Sequence, residues 1–435
     1  VNATCRPRRA LCAALLLLAA APLRAENWPQ WRGPTNDGVS TEKGLPAEWN
    51  DAKNIAWKLK MPGAGASTPV VWGDRLFLTC QDGKNLVLMC VSTTGKELWR
   101  RPMGPATRWA RGDEGNGASP SPSTDGKHVF AFVGNGTFAA FDFEGKQVWK
   151  FDAQKRYGRF DIQFGIHSTP VLYGDRLYFQ LIHSGTPDRA EGKVGWVVAV
   201  DKNTGADVWK VERKSEGTDE NEHSYASAFL WKRGKSAYLV VHGNDYATAH
   251  RLEDGKEVWR LGDLNPRDRY NRTLRFVASP LCTPDLIVVP SAKNGPLVAL
   301  KPDAQGKVMA GNKFEQWRMA HNTPDVSSPL LVDGLVYLCS PGRENGSLLV
   351  VDAKTGEKVY NKRVHPGRHR GSPVYADGKV YLTARDGTVS VVQAGRTFNL
   401  LAKNKLPDQI AASPAVSGGR IYLHGFSYLW AVSSR

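Results

Sequence analysis

One short pattern limits the fold of this chain more than any other feature. Ser-Pro or Ser-Thr-Pro, opening an apolar strand, stands at Ser67-Thr68-Pro69, Ser121-Pro122, Ser168-Thr169-Pro170, Ser279-Pro280, Ser328-Pro329, Ser372-Pro373 and Ser413-Pro414. A degenerate eighth copy reads Ser227-Ala228-Phe229. Successive copies are 53, 48, 58, 52, 49, 44 and 41 residues apart, too even for chance and too uneven for a solenoid with fixed rungs. A period of that size is the length of one supersecondary unit that cannot bury its apolar faces alone.

The rest of each unit repeats as well. A short apolar strand such as Pro170-Val171-Leu172-Tyr173 leads to a Gly/Asp turn, as at Gly73-Asp74, Asp125-Gly126, Gly174-Asp175, Asp333-Gly334, Asp377-Gly378 and Gly418-Gly419. Such dipeptides supply the positive φ angles that tight hairpins need. A second strand alternates, as in Arg176-Leu177-Tyr178-Phe179, and a third reads Trp196-Val197-Val198-Ala199-Val200-Asp201. A polar turn such as Thr204-Gly205 precedes a fourth strand that ends in an aromatic: Trp99, Trp149, Trp209, Trp259 or Tyr360. Four short antiparallel strands per unit predict an all-β fold, an eight-bladed β-propeller in which each blade buries both faces against its neighbours. The repeated rings read as wedges between blades.

The last unit runs from Ser413-Pro414 to Arg435 and lacks a fourth strand. Asn54-Ile55-Ala56-Trp57-Lys58-Leu59 carries the same Trp-Lys ending as Trp149-Lys150 and Trp209-Lys210 and lies directly before unit one. Pairing the two segments closes the ring and removes exposed strand edges.

The first residues follow a different plan. Arg6, Arg8 and Arg9 precede an apolar run from Ala10 to Ala21, and Ala25 is a small residue suited to cleavage. Basic start, apolar run and small-residue end are the parts of a secretory signal, and the run is shorter than the ~20 residues a membrane span takes. Cys12 opens the run rather than closing it, which argues against lipid attachment. The expected organisation is a signal peptide over 1–25, an N-terminal extension over 26–53 and the propeller over 54–435, in a periplasmic or secreted protein with no transmembrane segment in its mature form. Cys80, Cys90, Cys282 and Cys339 show no CxxC or adjacent pairing, and read as buried free thiols.

Units of the form Ala199-Val200-Asp201-Lys202-Asn203-Thr204-Gly205-Ala206-Asp207-Val208-Trp209 and Val351-Asp352-Ala353-Lys354-Thr355-Gly356-Glu357 resemble PQQ-like (quinoprotein-type) repeats. The resemblance covers about residues 54 to 435. The segment Asn27-Trp28-Pro29-Gln30-Trp31-Arg32-Gly33-Pro34 looks like the opening of secreted bacterial propellers grouped with the BamB-type outer-membrane assembly factor. The resemblance implies either a binding propeller of the cell envelope or a PQQ-dependent dehydrogenase with PQQ and Ca²⁺ in the channel. The dehydrogenases of the family carry two adjacent cysteines at the cofactor, and this chain has none. The reading is therefore a non-catalytic scaffold without a cofactor, engaging a protein, a peptide or an anionic ligand; the quinoprotein oxidoreductase is the alternative.

A site on this fold belongs where the chain crosses from one blade to the next. Seven crossing segments (100–117, 150–167, 210–223, 260–275, 310–325, 361–371 and 401–410) hold 24 Lys and Arg against 14 Asp and Glu. That excess of ten accounts for nearly all of the +12 carried from Glu26 onward, once four arginines before it are taken from the chain's +16. A one-sided positive rim steers anions. Five of the ten histidines, His167, His223, His321, His365 and His369, lie just before a unit opening. Candidate ligand-binding residues at the channel mouth are Gln163, His167, Glu222, His223, Arg275, His321, Arg368 and His369. No HxH or HExxH spacing supports a metal site, and no GxxxxGK[ST] or GxSxG motif occurs. Nucleic acid is an unlikely partner, since no RNP-type motif accompanies the charge and the chain reads as exported.

Overall fold

The computed structural model describes residues 25–50, 52–107, 116–184, 193–339 and 346–434. Its strands form eight sheets, and each sequence repeat supplies the main strands of one sheet in chain order. Blade one holds Val70–Trp72, Arg75–Asp82, Asn85–Ser92 and Glu97–Pro105, and blade three repeats the plan with Val171–Tyr173, Arg176–Ser184, Lys193–Asp201 and Asp207–Glu212. Neighbouring strands pair antiparallel, as in Phe77↔Cys90 and Cys90↔Trp99. The Asp-Gly and Gly-Gly turns take the expected positive φ, 50° and 71° at Asp333-Gly334 and 63° and 69° at Gly418-Gly419.

The ring closes through the chain's two ends. Ile55–Lys60 pairs antiparallel with Tyr428–Ser433, placing Trp57 opposite Ala431 and Leu59 opposite Leu429. The eighth blade is thus built from three C-terminal strands and one N-terminal strand. Among the described residues the only α-helix is Ala153–Tyr157, and no helix is long and apolar enough to cross a membrane.

Outer-strand tryptophans fasten five of the eight blades to the next. Trp57 lies on Gly95 of blade one, Trp99 on Gly145, Trp149 on Gly205, Trp209 on Gly255 and Trp317 on Gly356; a Cβ on any of these glycines would come within 2.9 Å of the ring. Each indole N–H donates to a carbonyl of the same turn: Thr93, Phe143, Lys202, Leu252 and Ala353, at 2.8–2.9 Å. Trp259 departs from the pattern. A short strand, Gly306–Val308, reaches back from blade five and pairs in parallel with Glu257–Leu261, giving blade four a fifth strand. Nothing in the Ser-Pro repeat signals that insertion. The four cysteines are free and buried in the sheets.

Residues 25–50 run over the face that carries the turns between first and second strands. Trp28 exchanges backbone hydrogen bonds with Val71 of blade one, Pro29 accepts from Thr124 of blade two, and Gly38 and Ser40 bond Tyr375 of blade seven. Arg32 is buried and donates to three carbonyls, Asp37 and Pro329 through Nη2 at 2.8 and 2.9 Å and Pro373 through Nη1 at 3.2 Å. These contacts tie the segment to blades on both sides of the chain's closure and bring Trp31 into the wall of the central channel.

Candidate functional site

The Ser-Pro repeat builds the channel wall. The residue before each proline sits where an innermost strand begins, and its neighbour across the blade boundary is the equivalent residue of the next repeat. Thr68 N–H donates to the Ser121 hydroxyl, Ser121 to Thr169, Thr169 to Ser227 and Ser227 to Ser279, all at 2.9–3.0 Å. Ser279 donates to Ser328, Ser328 to Ser372 and Ser372 to Ser413 at 2.8–3.0 Å. Seven bonds therefore link eight consecutive blades in one belt. Proline suits the next position because it has no N–H to leave unpaired and holds its predecessor extended. Ser227 keeps its place in the belt although Ala228 follows it, so the hydroxyl is the essential half of the motif.

A cavity of about 180 Å³ lies inside the belt. All eight belt residues line it, with Trp31 from the N-terminal segment, the aromatic rings of Phe164, Tyr225 and Phe426, and His167. Asn116, Ser119 and three guanidiniums, Arg275, Arg370 and Arg385, add to its polar lining, and no Asp or Glu is among the described residues that line it. Arg275 is held by Glu220 at 2.9 Å and lies over the Phe164 ring, 5.0 Å from its centroid. Lys293 shares the same Glu220 carboxylate at 3.4 Å, and the Asp325 carboxylate also acts on Lys293. Arg385 lies over Phe426 at 4.3 Å.

The structure separates the eight residues singled out from sequence. His167 and Arg275 line the cavity. His167 Nε2 is 2.9 Å from the Phe164 carbonyl, and burial holds its pKa below the ordinary histidine value. Glu222 and His223 meet around Ser184 instead: the Ser184 hydroxyl donates to Glu222 Oε2 at 2.9 Å and lies 2.7 Å from His223 Nε2. The His223 ring stands edge-on to Tyr225, a lining residue, at 6.4 Å. Burial, first among its influences, lowers the His223 pKa. Gln163, His321 and Arg368 are exposed on the crossing segments and do not line the cavity. His369 is buried against His365, with ring centroids 5.9 Å apart, and is also outside the cavity. Among the described residues no group of three His, Cys, Asp or Glu is placed to hold a metal ion.

Sequence reasoning missed Arg370, Arg385, Tyr225 and the belt hydroxyls. The belt was detectable, since the hydroxyl residue precedes seven prolines and stands in all eight repeats.

The family model described as outer membrane protein assembly factor BamB matches residues 84–338 and 306–397, most of the chain. The chain belongs to the BamB family. Among solved structures, BamB from Moraxella catarrhalis superposes with a TM-score of 0.60 at 12% identity, covering 87% of this chain and 99% of that one. Quinohemoprotein alcohol dehydrogenase from Comamonas testosteroni superposes with a TM-score of 0.69 at 14% identity, covering 94% and 80%. At such identities these BamB and dehydrogenase likenesses show a shared propeller fold, which by itself does not assign chemistry. A polyvinylalcohol dehydrogenase from a Pseudomonas species is 24% identical over 383 residues, 80% of this chain and 52% of that protein. This BamB-family chain thus spans about half the length of that curated relative.

Proposed function

We propose that this chain is a non-catalytic binding propeller of the cell envelope, exported by its first 25 residues, that engages a protein or peptide partner through the basic crossing face. One observation carries the reading. The N-terminal segment lies over the opposite face and contributes Trp31 to the channel wall, while the crossing segments carry a run of exposed cationic side chains. Arg159, Arg267, Arg269, Arg272, Lys362, Arg363 and Arg368 are exposed there. Membership of a family described by outer membrane protein assembly supports a partner in the envelope.

A photo-crosslinking residue placed at His321 or Arg368 tests the proposal against the same residue at Tyr173, an exposed position on the turn face. Crosslinks are expected from the first two positions, to one partner, and binding of that partner should weaken as salt rises from about 0.05 to 0.5 M, because exposed charges are screened. Crosslinking at Tyr173 alone, or affinity flat in salt, overturns it.

The second reading, a quinoprotein oxidoreductase, is favoured by the polyvinylalcohol dehydrogenase relative. Its cofactor pair fits the channel only in part. Calcium takes six to eight oxygen ligands, commonly carboxylates, and no carboxylate lines the cavity among the described residues. The arginines suit the anionic quinone but not the cation. Absence of any spectral change on titrating PQQ with Ca²⁺ rejects this reading; a saturable change establishes it.

A further inference from the structure

The belt hydroxyls have a second half to their hydrogen bonding. Each of the seven from Ser121 to Ser413 uses one lone pair to accept a neighbouring blade's N–H. Among the described residues none of those seven O–H groups has an acceptor for its own proton. A hydroxyl in that state still has one donor and one lone pair to offer, and all seven line the cavity. Three further lining groups are unspent. The half-buried Trp31 indole N–H has no acceptor among the described residues. The same holds for the Asn116 carboxamide N–H groups, although Asn116 is only 4% exposed and its Oδ1 accepts from the Ala118 N–H at 2.9 Å. His167 supplies an acceptor. Its Nε2 lies 2.9 Å from the Phe164 carbonyl, which can only accept, so the proton sits on Nε2 and Nδ1 is bare in a ring that burial keeps neutral. None of these groups is charged, and Arg275 beside them is already paired with Glu220. An anion would meet this wall with acceptors alone, whereas a polyol brings a donor and an acceptor at every hydroxyl. The Trp31 ring adds an apolar surface for the C–H face of such a ligand. The space also fits: a cavity of about 150 Å³ holds a single six-membered ring, and this one is about 180 Å³.

We propose that the channel holds a site for one neutral polyol ring of monosaccharide size, its hydroxyls bonded by the belt, Asn116 and His167 and its apolar face set on Trp31. The site goes beyond the rim reading and does not depend on it, since the rim residues Arg368 and His321 lie outside the cavity.

The test is isothermal titration of the purified chain, in EDTA and without added quinone, with D-glucose, D-galactose and myo-inositol in turn. At least one is expected to bind saturably at one per chain. Its affinity should hold steady as sodium chloride rises from about 0.05 to 0.5 M, because a neutral ligand is not screened, and inorganic phosphate should not displace it. Trp31→Phe keeps a ring, loses the N–H and should weaken binding about threefold to tenfold, the loss of one neutral hydrogen bond. Trp31→Ala should weaken it further. Ser372→Ala should weaken it and Ser372→Thr should restore it, since Thr68 and Thr169 already serve in the belt. Trp31→Phe leaves the belt intact and decides the matter if Ser372→Ala or Trp31→Ala does not fold. No saturable heat with any of the three compounds, or an affinity unmoved by Trp31→Phe, or binding that salt or phosphate abolishes, overturns the proposal. Failure here leaves crosslinking at the rim unaffected, so the two readings fail separately.

Discussion

The Trp57 indole, carried by the first strand of the chain, lies on Gly95 of blade one and donates its N–H to the Thr93 carbonyl at 2.8 Å. The same staple joins blades that are consecutive in sequence; here it fastens the blade that contains both chain ends to blade one. The ring closes non-covalently inside the eighth blade, where Ile55–Lys60 pairs with Tyr428–Ser433, and the staple holds that N-terminal strand against blade one. Trp57→Ala is expected to lower stability by about 3 kcal/mol, the low end for a tryptophan because the ring is only partly buried. Gly95→Ala should also destabilise, since φ is +89° and a Cβ would sit 2.7 Å from the indole. Urea unfolding measures both. A loss below about 0.5 kcal/mol for each, the range of an ordinary surface change, contradicts the staple.

Within the channel wall, Ser328 accepts from the Ser279 N–H at 2.9 Å, and both residues are buried. Ser328→Ala removes the acceptor and leaves that donor unpaired. The expected cost is about 1–3 kcal/mol. Ser328→Thr keeps the oxygen and should cost less than Ser328→Ala in the same unfolding assay; equal losses would mean that volume, not the hydrogen bond, matters at this position.

These residues also show what a sequence displays and what it hides. The blades were legible because strand alternation, turn glycines and stapling tryptophans recur at one spacing, and each is a local requirement. Closure was legible because Trp57-Lys58 repeats an outer-strand ending out of its usual place. The fifth strand of blade four was hidden, since Gly306–Val308 pairs in parallel with a strand from another repeat, and no local rule encodes a partner chosen at that distance. The candidate site was only partly legible for a similar reason. His167 and Arg275 reach the cavity, while Arg368 and His369 were named and their neighbour Arg370 is the one that lines it. In extended backbone, adjacent side chains face opposite ways, which separates His369 from Arg370, while Arg368, two residues back, is exposed on the crossing segment. The register at His369 is set by a bridge to Ala384, a contact that the sequence does not announce.

Arg32 anchors the N-terminal segment across the turn face. It is 1% exposed, and burial lowers its pKa to about 10, which still leaves it charged near neutrality. Its charge is matched by three carbonyls rather than an ion pair in hydrogen-bond contact. Arg32→Ala strips the donors from the Asp37, Pro329 and Pro373 carbonyls together. The expected outcome is a loss of about 3 kcal/mol and faster cleavage within residues 25–50 in limited proteolysis, with the blades resistant. Equal protection of that segment in the variant and the parent shows that the other backbone bonds hold it without Arg32.

Acid should destabilise the fold in a window set by buried histidines. His242 is fully buried, with its ring flat on Phe276 at 4.4 Å between centroids. Burial, reinforced by the nearby Arg213, pushes its pKa down to about 3, and burial likewise takes His250, His369 and His424 to about 4. An unfolded histidine titrates near pH 6.5. Between those values the unfolded chain binds protons that the folded chain refuses, so stability rises with pH across the window. It is full above about pH 6.5 and falls as pH drops toward 4. For His242 alone the difference between pH 7 and pH 5 amounts to about 2 kcal/mol. His242→Phe keeps a ring on Phe276 and removes the titration. Comparing urea unfolding at the two pH values within each protein cancels any packing change that the substitution introduces. The parent should lose more stability than the variant on going to pH 5, by about that amount. Carboxylates held low by ion pairs act in a more acidic window, around and below pH 4, so they do not mimic the effect. An identical loss in both proteins would mean that His242 is protonated in the folded state, and that water or an anion reaches a ring that the packing encloses.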